Sequence, residues 1–396
     1  MIKDLVVRND KRIVLLVIDG LGGLPRERGG KTELETARTP NLDGLAAESE
    51  CGLHVPVGIG ITPGSAPGHL ALFGYPPTDY PIGRGAVAAL GIGFPLKPGD
   101  VAARVNFATR DAAGNITDRR AGRIPTETCS RLCDRLAGIA IPEVEVFIKP
   151  VKDYRAVVVF RGEGLSDQVE DTDPQAVGVK PLEPKATSPT GAKTAVIAAE
   201  FIRQAFEILR DQNPANALLL RGFAVLPHIP SMGENFGLTP LALAVYPDYK
   251  GVSRLVGMKI VEGLNSLDDQ AQALRAGWDR CDFFFIHHKY TDSRGEDGDF
   301  DAKVAEIEKV DGFLPRIVEM NPDVLIVTGD HSTPAVMKSH SCHPSPFLIR
   351  AKHIRPDDVA QFGERACARG LWGILPGSML IRLALAYADK LVKFGA

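Results

Sequence analysis

Residues 12–23 read RIVLLVIDGLGG, and their order decides the fold. Ile13–Ile18 is an unbroken apolar, partly β-branched run, the pattern of a strand covered on both faces as in a parallel sheet. Asp19 and a Gly-rich turn follow at once. DVLIVTGDHSTP repeats this order, with Val324–Val327 ahead of Asp330 and His331, and CDFFFIHHKYTDSRGEDGDF leads from an aromatic strand to Asp292. Helical periodicity lies between the strands, in NLDGLAAES, TAVIAAEFIRQAFEILRD and FDAKVAEIEKVDGFLPRIVEM. The chain therefore reads as α/β, with a mostly parallel sheet flanked by helices. In such sheets functional groups collect at the carboxyl ends of the strands.

The middle of the chain has another texture. Short β-like stretches (VEVFIKP, YRAVVVFRG) alternate with turn and acidic segments (SDQVEDTDPQAVG, KPLEPKATSPTG), which predicts a smaller inserted α+β domain. Its boundaries are placed at residues 100–187, with residues 1–99 and 188–396 forming the core and linkers near Pro95–Gly99 and Pro181–Gly191.

A chain of 396 residues, 44% of them hydrophobic, can bury a large core. The formal net charge of -3 supplies no electrostatic footprint for nucleic acid or an anionic membrane, so the expected partner is a small molecule. Six cysteines without a CxxC pair, no apolar N-terminal leader and no run long enough to span a bilayer point to a reducing cytoplasm. Cys129 and Cys133 share a helical face and are expected to be buried.

Asp19, Asp292, Asp330, His331 and His340 fall at or after strand tips. Singly, each has an ordinary explanation, an Asx turn or helix cap for an aspartate and a hydrogen-bonded core position for a histidine. Together, carboxylates at several strand ends of one sheet would repel unless a cation lay among them. The mixed oxygen and nitrogen donors are those of divalent metal sites. Residues 61–75, ITPGSAPGHLALFGY, place Ser65 amid Gly and Pro just before a helical run, where it is either a helix cap or a nucleophile. His69, four residues on, shares its helical face and either packs or meets the substrate.

The motifs LVIDGLGG, LETARTPNLDGLA, ITPGSAPGHLALFGY, GRGAVAALGIG, DVAARVNFAT, ITDRRAGRI, YTDSRGEDGDFDAKV, VTGDHSTP, SHSCHPSPF and AYADKLVKFGA together resemble the archaeal-type cofactor-independent phosphoglycerate mutases of the alkaline phosphatase superfamily. The resemblance runs almost end to end. It implies an alkaline-phosphatase-like core with a smaller inserted domain, two divalent metals (Mn²⁺, with Mg²⁺, Co²⁺ or Zn²⁺ as alternatives), and no 2,3-bisphosphoglycerate. The implied substrate is a small phosphorylated hydroxy acid, 3-phosphoglycerate or 2-phosphoglycerate, handled through a phosphoserine on Ser65. Asp19, Ser65, Asp330 and His331 would gather at one metal, and Asp292 and His340 at the second. Arg119, Arg120 and Arg123 would bind the substrate's anionic groups, with Asn106, Arg84, Arg221, Arg254 and His69 as further candidates, and Asp118 would carry the proton. Closure of the inserted domain would exclude water.

Two positions depart from the family pattern, which has histidine where this chain has Glu296 and aspartate where it has His343. A carboxylate at 296 shifts metal preference toward harder ions. The pair is expected to be a coupled exchange, both groups on one metal or Glu296 orienting His343. Two other functions remain open on the sequence: a metal-dependent phosphatase or phosphonate-metabolism enzyme on the same scaffold, and a catalytically inactive binding module.

Overall fold

The computed structural model describes residues 2–395. In chain order its strands are β1 (Ile13–Ile18), β2 (Glu50–Val55), β3 (Val101–Arg110), β4 (Ile116–Asp118), β5 (Glu145–Lys152), β6 (Arg155–Arg161), β7 (Ala217–Val225), β8 (Pro240–Leu243), β9 (Lys259–Ile260), β10 (Phe283–His288), β11 (Val324–Thr328), β12 (Ser345–Ala351) and β13 (Ile374–Pro376). They belong to two compact units. Unit 1 comprises the chain up to Pro81 and from Ile229 onward, and unit 2 is Ile82–His228. No helix among the described residues is long and apolar enough to cross a membrane.

Unit 1 is built on an eight-stranded sheet of order β13-β2-β12-β11-β1-β10-β8-β9. β1 pairs in parallel with β10 and β11, and β12 alone runs against its neighbours. Every residue of β1, β10 and β11 is buried, as an apolar run without alternation requires when helices cover both faces. On one face Val14, Leu16 and Ile18 of β1 join Phe284, Ile286, Leu325 and Val327, packed against Ile307, Val310 and Leu314 of the helix Phe300–Val318. Register brings the strand ends level: Ile18 lies beside His288 and Val17 beside Thr328. The chain leaves β1 at Asp19, β11 through Asp330, and β10 into the helix Tyr290–Asp297 that carries Asp292.

Unit 2 holds an antiparallel sheet in which β3 pairs with β4, β6 and β7, and β6 with β5. One face is covered by the helices Thr126–Leu136 and Ala192–Leu209, with Cys129 and Cys133 buried in that core. On the other face the helix Arg84–Gly91 packs Ala88 and Ala89 against Ala102, Val157 and Val159. These contacts correct the expected boundaries of 100–187. Residues 82–99 and 188–228 belong to unit 2 because the first segment carries a helix of its sheet and the second carries β7, which pairs along most of β3. The sequence shows a texture change where strands become short, but it does not show which sheet a buried strand such as β7 will join.

Close approach of backbone to backbone fixes unit 1 around the strand ends. The helix Ser65–Leu72 lies so near the loop after β11 that a Cβ added at Gly68 would stand 2.6 Å from the carbonyl oxygen of Asp330. Gly68→Ala is therefore expected to cost about 1–3 kcal/mol of stability, read as a lower urea midpoint at unchanged slope. An unchanged midpoint would show that helix and loop separate freely.

Candidate metal centre

Two groups of donors converge beyond the ends of β1, β10 and β11. Asp19, Asp330 and His331 form one, and Asp292, His331 and His340 form the other, each with ligand atoms within 4.8 Å of one another. Asp19, Asp330 and His331 are fully buried and Asp292 almost so. Gly20, at φ +64°, turns the chain directly after Asp19, and a Cβ there would lie 2.8 Å from the Cβ of Asp292. Only glycine meets both the left-handed backbone and the contact.

Hydrogen bonding fixes which atoms face inward. The Thr333 hydroxyl donates to Asp292 Oδ1 at 2.7 Å, so at 3.0 Å it accepts from His331 Nδ1–H. His331 Nε2 is then left with its lone pair, 3.2 Å from Asp330 Oδ2 and 3.5 Å from Asp19 Oδ1. Those two carboxylate oxygens are themselves buried without a hydrogen-bond partner. The remaining oxygens are held by the protein: Gly20 N–H donates to Asp330 Oδ1 at 3.1 Å, and His287 Nε2–H to Asp19 Oδ2 at 3.1 Å. His340 has the same orientation, with Nδ1–H on the carbonyl of Pro63 at 2.9 Å and Nε2 3.3 Å from Asp292 Oδ1. The two imidazoles stack with centroids 3.8 Å apart.

Converging lone pairs in a buried pocket call for a cation. Histidines tied at Nδ1 and bare at Nε2 are the usual form of metal-ligating imidazoles, so the residues present fit divalent ions. The charges point the same way. Burial raises the Asp19 carboxyl, but Lys289, His287 and His331 outweigh it and hold the group well below its ordinary range. Burial and the Asp19 charge push Asp292 up, and the His340 hydrogen bond with the Lys289 cation more than reverse this. Burial pulls His331 down. It does the same to His340, but there the hydrogen bond to Asp292 prevails and the imidazole is pushed up to about 9.

Ser65 is not a side-chain helix cap. Gly64 is the residue capping the helix Ser65–Leu72, without a side-chain cap bond, and Ser65 is the first helical residue. Its hydroxyl instead lies 3.1 Å from His331 Nε2, against the first donor group. Pro67 has no N–H and Gly68 N–H bonds the Gly64 carbonyl at 3.0 Å, which leaves the N–H groups of Ser65 and Ala66 as the first-turn donors.

Other expected site residues stand differently. His69 is wholly buried among Phe73, Tyr249, Phe285 and His287, with Nδ1 2.8 Å from the Ser65 carbonyl and 3.2 Å from Asp330 Oδ2. It braces the helix Ser65–Leu72 against Asp330. Glu296 keeps 57% of its side chain exposed and reaches 3.9 Å from His340 Nε2, whereas His343 Nδ1 bonds Ser341 Oγ at 3.0 Å. Neither belongs to a donor group, and no hydrogen bond or ion pair joins them among the described residues. The expected exchange is not formed, because Glu296 sits on the solvent side of its helix and His343 is turned to its own loop. Arg254 pairs with Glu262 at 2.5 Å.

Within unit 2, Arg119 binds Asp173 through two bonds of 2.8 Å, and Arg221 approaches the same carboxylate at 3.3 Å. Burial raises Asp173, but the Arg119 hydrogen bond, helped by Arg221, brings it below its ordinary value. Asp118 accepts from Arg120 N–H at 2.7 Å and Gly122 N–H at 2.6 Å, holding the turn that presents Arg120 and Arg123. Those two arginines are exposed and have no ion-pair partner among the described residues. Asn106 lies on the same face of β3 as Arg104, with a buried Oδ1 that has no hydrogen-bond partner. Arg84 opens the helix Arg84–Gly91.

Several residues escaped the sequence reading. Thr333 sets the tautomer of His331, His287 holds Asp19, and Lys289 touches both Asp19 and Asp292. Lys289 is the first residue beyond β10, and no sequence pattern sets it apart from other lysines.

Comparison with known proteins agrees with this geometry. The family described as "2,3-bisphosphoglycerate-independent phosphoglycerate mutase" matches residues 46–216. A relative from Aquifex aeolicus named "Probable 2,3-bisphosphoglycerate-independent phosphoglycerate mutase" is 49% identical over 406 aligned residues, covering 100% of both chains. Among solved structures, the PH0037 protein of Pyrococcus horikoshii has a TM-score of 0.85 at 30% identity, covering 98% of this chain and 99% of that one. The cofactor-independent phosphoglycerate mutase of Thermoplasma acidophilum has a TM-score of 0.70 at 29% identity, with 96% and 100% covered. With relatives this similar along its whole length, the chain belongs to the 2,3-bisphosphoglycerate-independent phosphoglycerate mutase family.

Proposed function

We infer that the chain interconverts 3-phosphoglycerate and 2-phosphoglycerate without 2,3-bisphosphoglycerate, passing the phosphoryl group to Ser65 and back. The observation that carries this reading is the Ser65 hydroxyl, 3.1 Å from His331 Nε2 and directed at the donor cluster instead of at its own helix. Ser65 Oγ bonds to phosphorus as the bond from phosphorus to the glycerate oxygen breaks. The proton that Ser65 Oγ gives up is balanced by the one the glycerate oxygen takes up; the glycerate then re-presents its other hydroxyl, and the reverse transfer returns the proton and restores the serine. The free N–H groups at the helix start would face the phosphoryl oxygens. His69 keeps the helix seated on Asp330.

Asp19, Ser65, Asp330 and His331 would hold one divalent ion, and Asp292 and His340 the other, with His331 near both. Mixed carboxylate and imidazole donors suit Mn²⁺. Bound there, such ions lower the pKa of the serine and neutralise charge on the transferring group. Arg120 and Arg123, whose guanidinium groups have no carboxylate partner among the described residues, are proposed for the substrate's anionic groups. Asp118 is assigned to holding their turn instead of carrying a proton. Six free cysteines favour the cytoplasm as the place of action.

Ser65→Ala should lower mutase turnover by at least about 10³-fold while leaving the circular dichroism spectrum intact; substantial residual turnover would remove the phosphoserine. Conversion should proceed with no added 2,3-bisphosphoglycerate, stop with EDTA and return with Mn²⁺, with little phosphate released. A strict bisphosphoglycerate requirement would end this reading, and dominant phosphate release would make the chain a phosphatase. Because nothing links Glu296 to His343, a double-mutant cycle of Glu296→His and His343→Asp should show coupling below about 0.5 kcal/mol. A larger coupling, measured on metal-dependent turnover, would restore the exchanged pair.

A further inference from the structure

Lys289 has no part in the mechanism above, yet its ammonium lies where the two donor groups meet. Nζ hydrogen-bonds Asp292 Oδ2 and stands 3.4 Å from Asp19 Oδ2. One aspartate belongs to each group. On both, the oxygen turned to Lys289 is Oδ2, which on Asp19 also accepts from His287, and the oxygen turned to an imidazole of the donor groups is Oδ1, 3.5 Å from His331 for Asp19 and 3.3 Å from His340 for Asp292. The side chain is 19% exposed and passes near the Tyr249 ring, 5.7 Å from Nζ to its centroid. Tyr249 in turn stacks on His287, which holds Asp19. The lysine is thus packed in place, with its charge directed at both carboxylates.

We propose that Lys289 is the built-in counter-ion of this centre, neutralising Asp19 and Asp292 while no metal is bound and opposing the metal once it arrives. The proposal rests on the donor groups being divalent-ion sites. Asp19, Asp292 and Asp330 share one buried pocket, and carboxylates so placed repel strongly in a low-dielectric surrounding. Lys289 relieves that repulsion from the Oδ2 side and leaves the Oδ1 atoms aimed inward, so the donors stay arranged without metal. A divalent ion on the Oδ1 side neutralises the same carboxylates and stands near a like charge. Linkage makes the two effects one quantity: whatever Lys289 adds to the metal-free protein beyond what it adds to the loaded protein is subtracted from metal affinity. The ion is then held less tightly than the donors alone would hold it and exchanges more readily.

The test uses the full chain carrying Lys289→Met, with Lys289→Gln as a second neutral variant and Lys289→Arg as the charge-preserving one. Melting is followed after EDTA dialysis and in excess Mn²⁺, and Mn²⁺ affinity is measured by calorimetry. Both neutral variants are expected to melt about 2–4 °C lower than wild type without metal, to recover most of that loss in Mn²⁺, and to bind Mn²⁺ about tenfold more tightly. Lys289→Arg should stay within about twofold of the wild-type affinity. Neutral variants that bind Mn²⁺ as wild type does, or more weakly, would overturn the counter-ion role, as would a melting loss that persists undiminished in Mn²⁺. Wild-type protein that takes up no Mn²⁺ would instead overturn the metal reading, and the metal-free melting comparison would then decide whether Lys289 holds the carboxylates.

Discussion

Mutual repulsion of Asp19, Asp292 and Asp330, buried together at one edge of the unit 1 sheet, is the constraint on which the rest of the structure depends. Unpaired charges away from water are among the costliest features a fold can contain. Each aspartate is accordingly clamped by groups of the fold, and Asp19 and Asp330 each keep one oxygen without a hydrogen-bond partner. Gly20 N–H fixes Asp330, His287 fixes Asp19, and Thr333 with Lys289 fixes Asp292. The parallel order β11-β1-β10 delivers all three to the same edge, and the glycines at 20 and 68 let the intervening backbone pass within contact distance of them.

A layer of buried charge supports this arrangement from below. Lys303 is fully buried and donates to the carbonyls of Gly22, at 3.0 Å, and Thr333, at 2.9 Å. It thereby ties the loop after β1 to the loop after β11. Burial depresses the lysine, while Glu33, 3.8 Å away, is the nearest group that sustains its charge. Glu33 uses its oxygens on the N–H groups of Leu24 and Ala335, one in each loop. Both donor-bearing loops are therefore fastened to a common pair of opposite charges, which keeps their carboxylates in register with each other.

Unit 2 solves a different problem. Its antiparallel sheet gathers cationic side chains, and Asp173 binds two of them, Arg119 and Arg221. The turn held by Asp118 leaves Arg120 and Arg123 exposed. An arginine run in sequence thus divides by geometry into one guanidinium that builds the fold and two that remain open to an anion.

The amino-acid sequence by itself determined the sheet of unit 1 and the kind of chemistry it carries. Unbroken apolar runs admit no exposed face, so Ile13–Ile18, Val324–Thr328 and Phe283–His288 had to be central parallel strands, and the residues just beyond such strands had to lie at one edge. That order alone places Asp19, Asp292, Asp330 and His331 together, and the helical runs beginning near Thr194 and at Phe300 are equally legible from their periodicity. Tertiary structure alone decided the rest, because it depends on distances that no local pattern encodes. Only packing shows that β7 joins β3 and so moves the unit boundary to Pro81 and His228. Hydrogen bonding shows that Ser65 starts a helix without capping it, and that Asp118 and Arg119 are engaged within the fold. Glu296 and His343, close in sequence to donors, stand outside both donor groups, Glu296 largely exposed near His340 and His343 bonded to Ser341. Lys289, silent as a lysine among many, becomes legible only when its ammonium is seen between two carboxylates, since the sign and reach of a charge act through space and not along the chain.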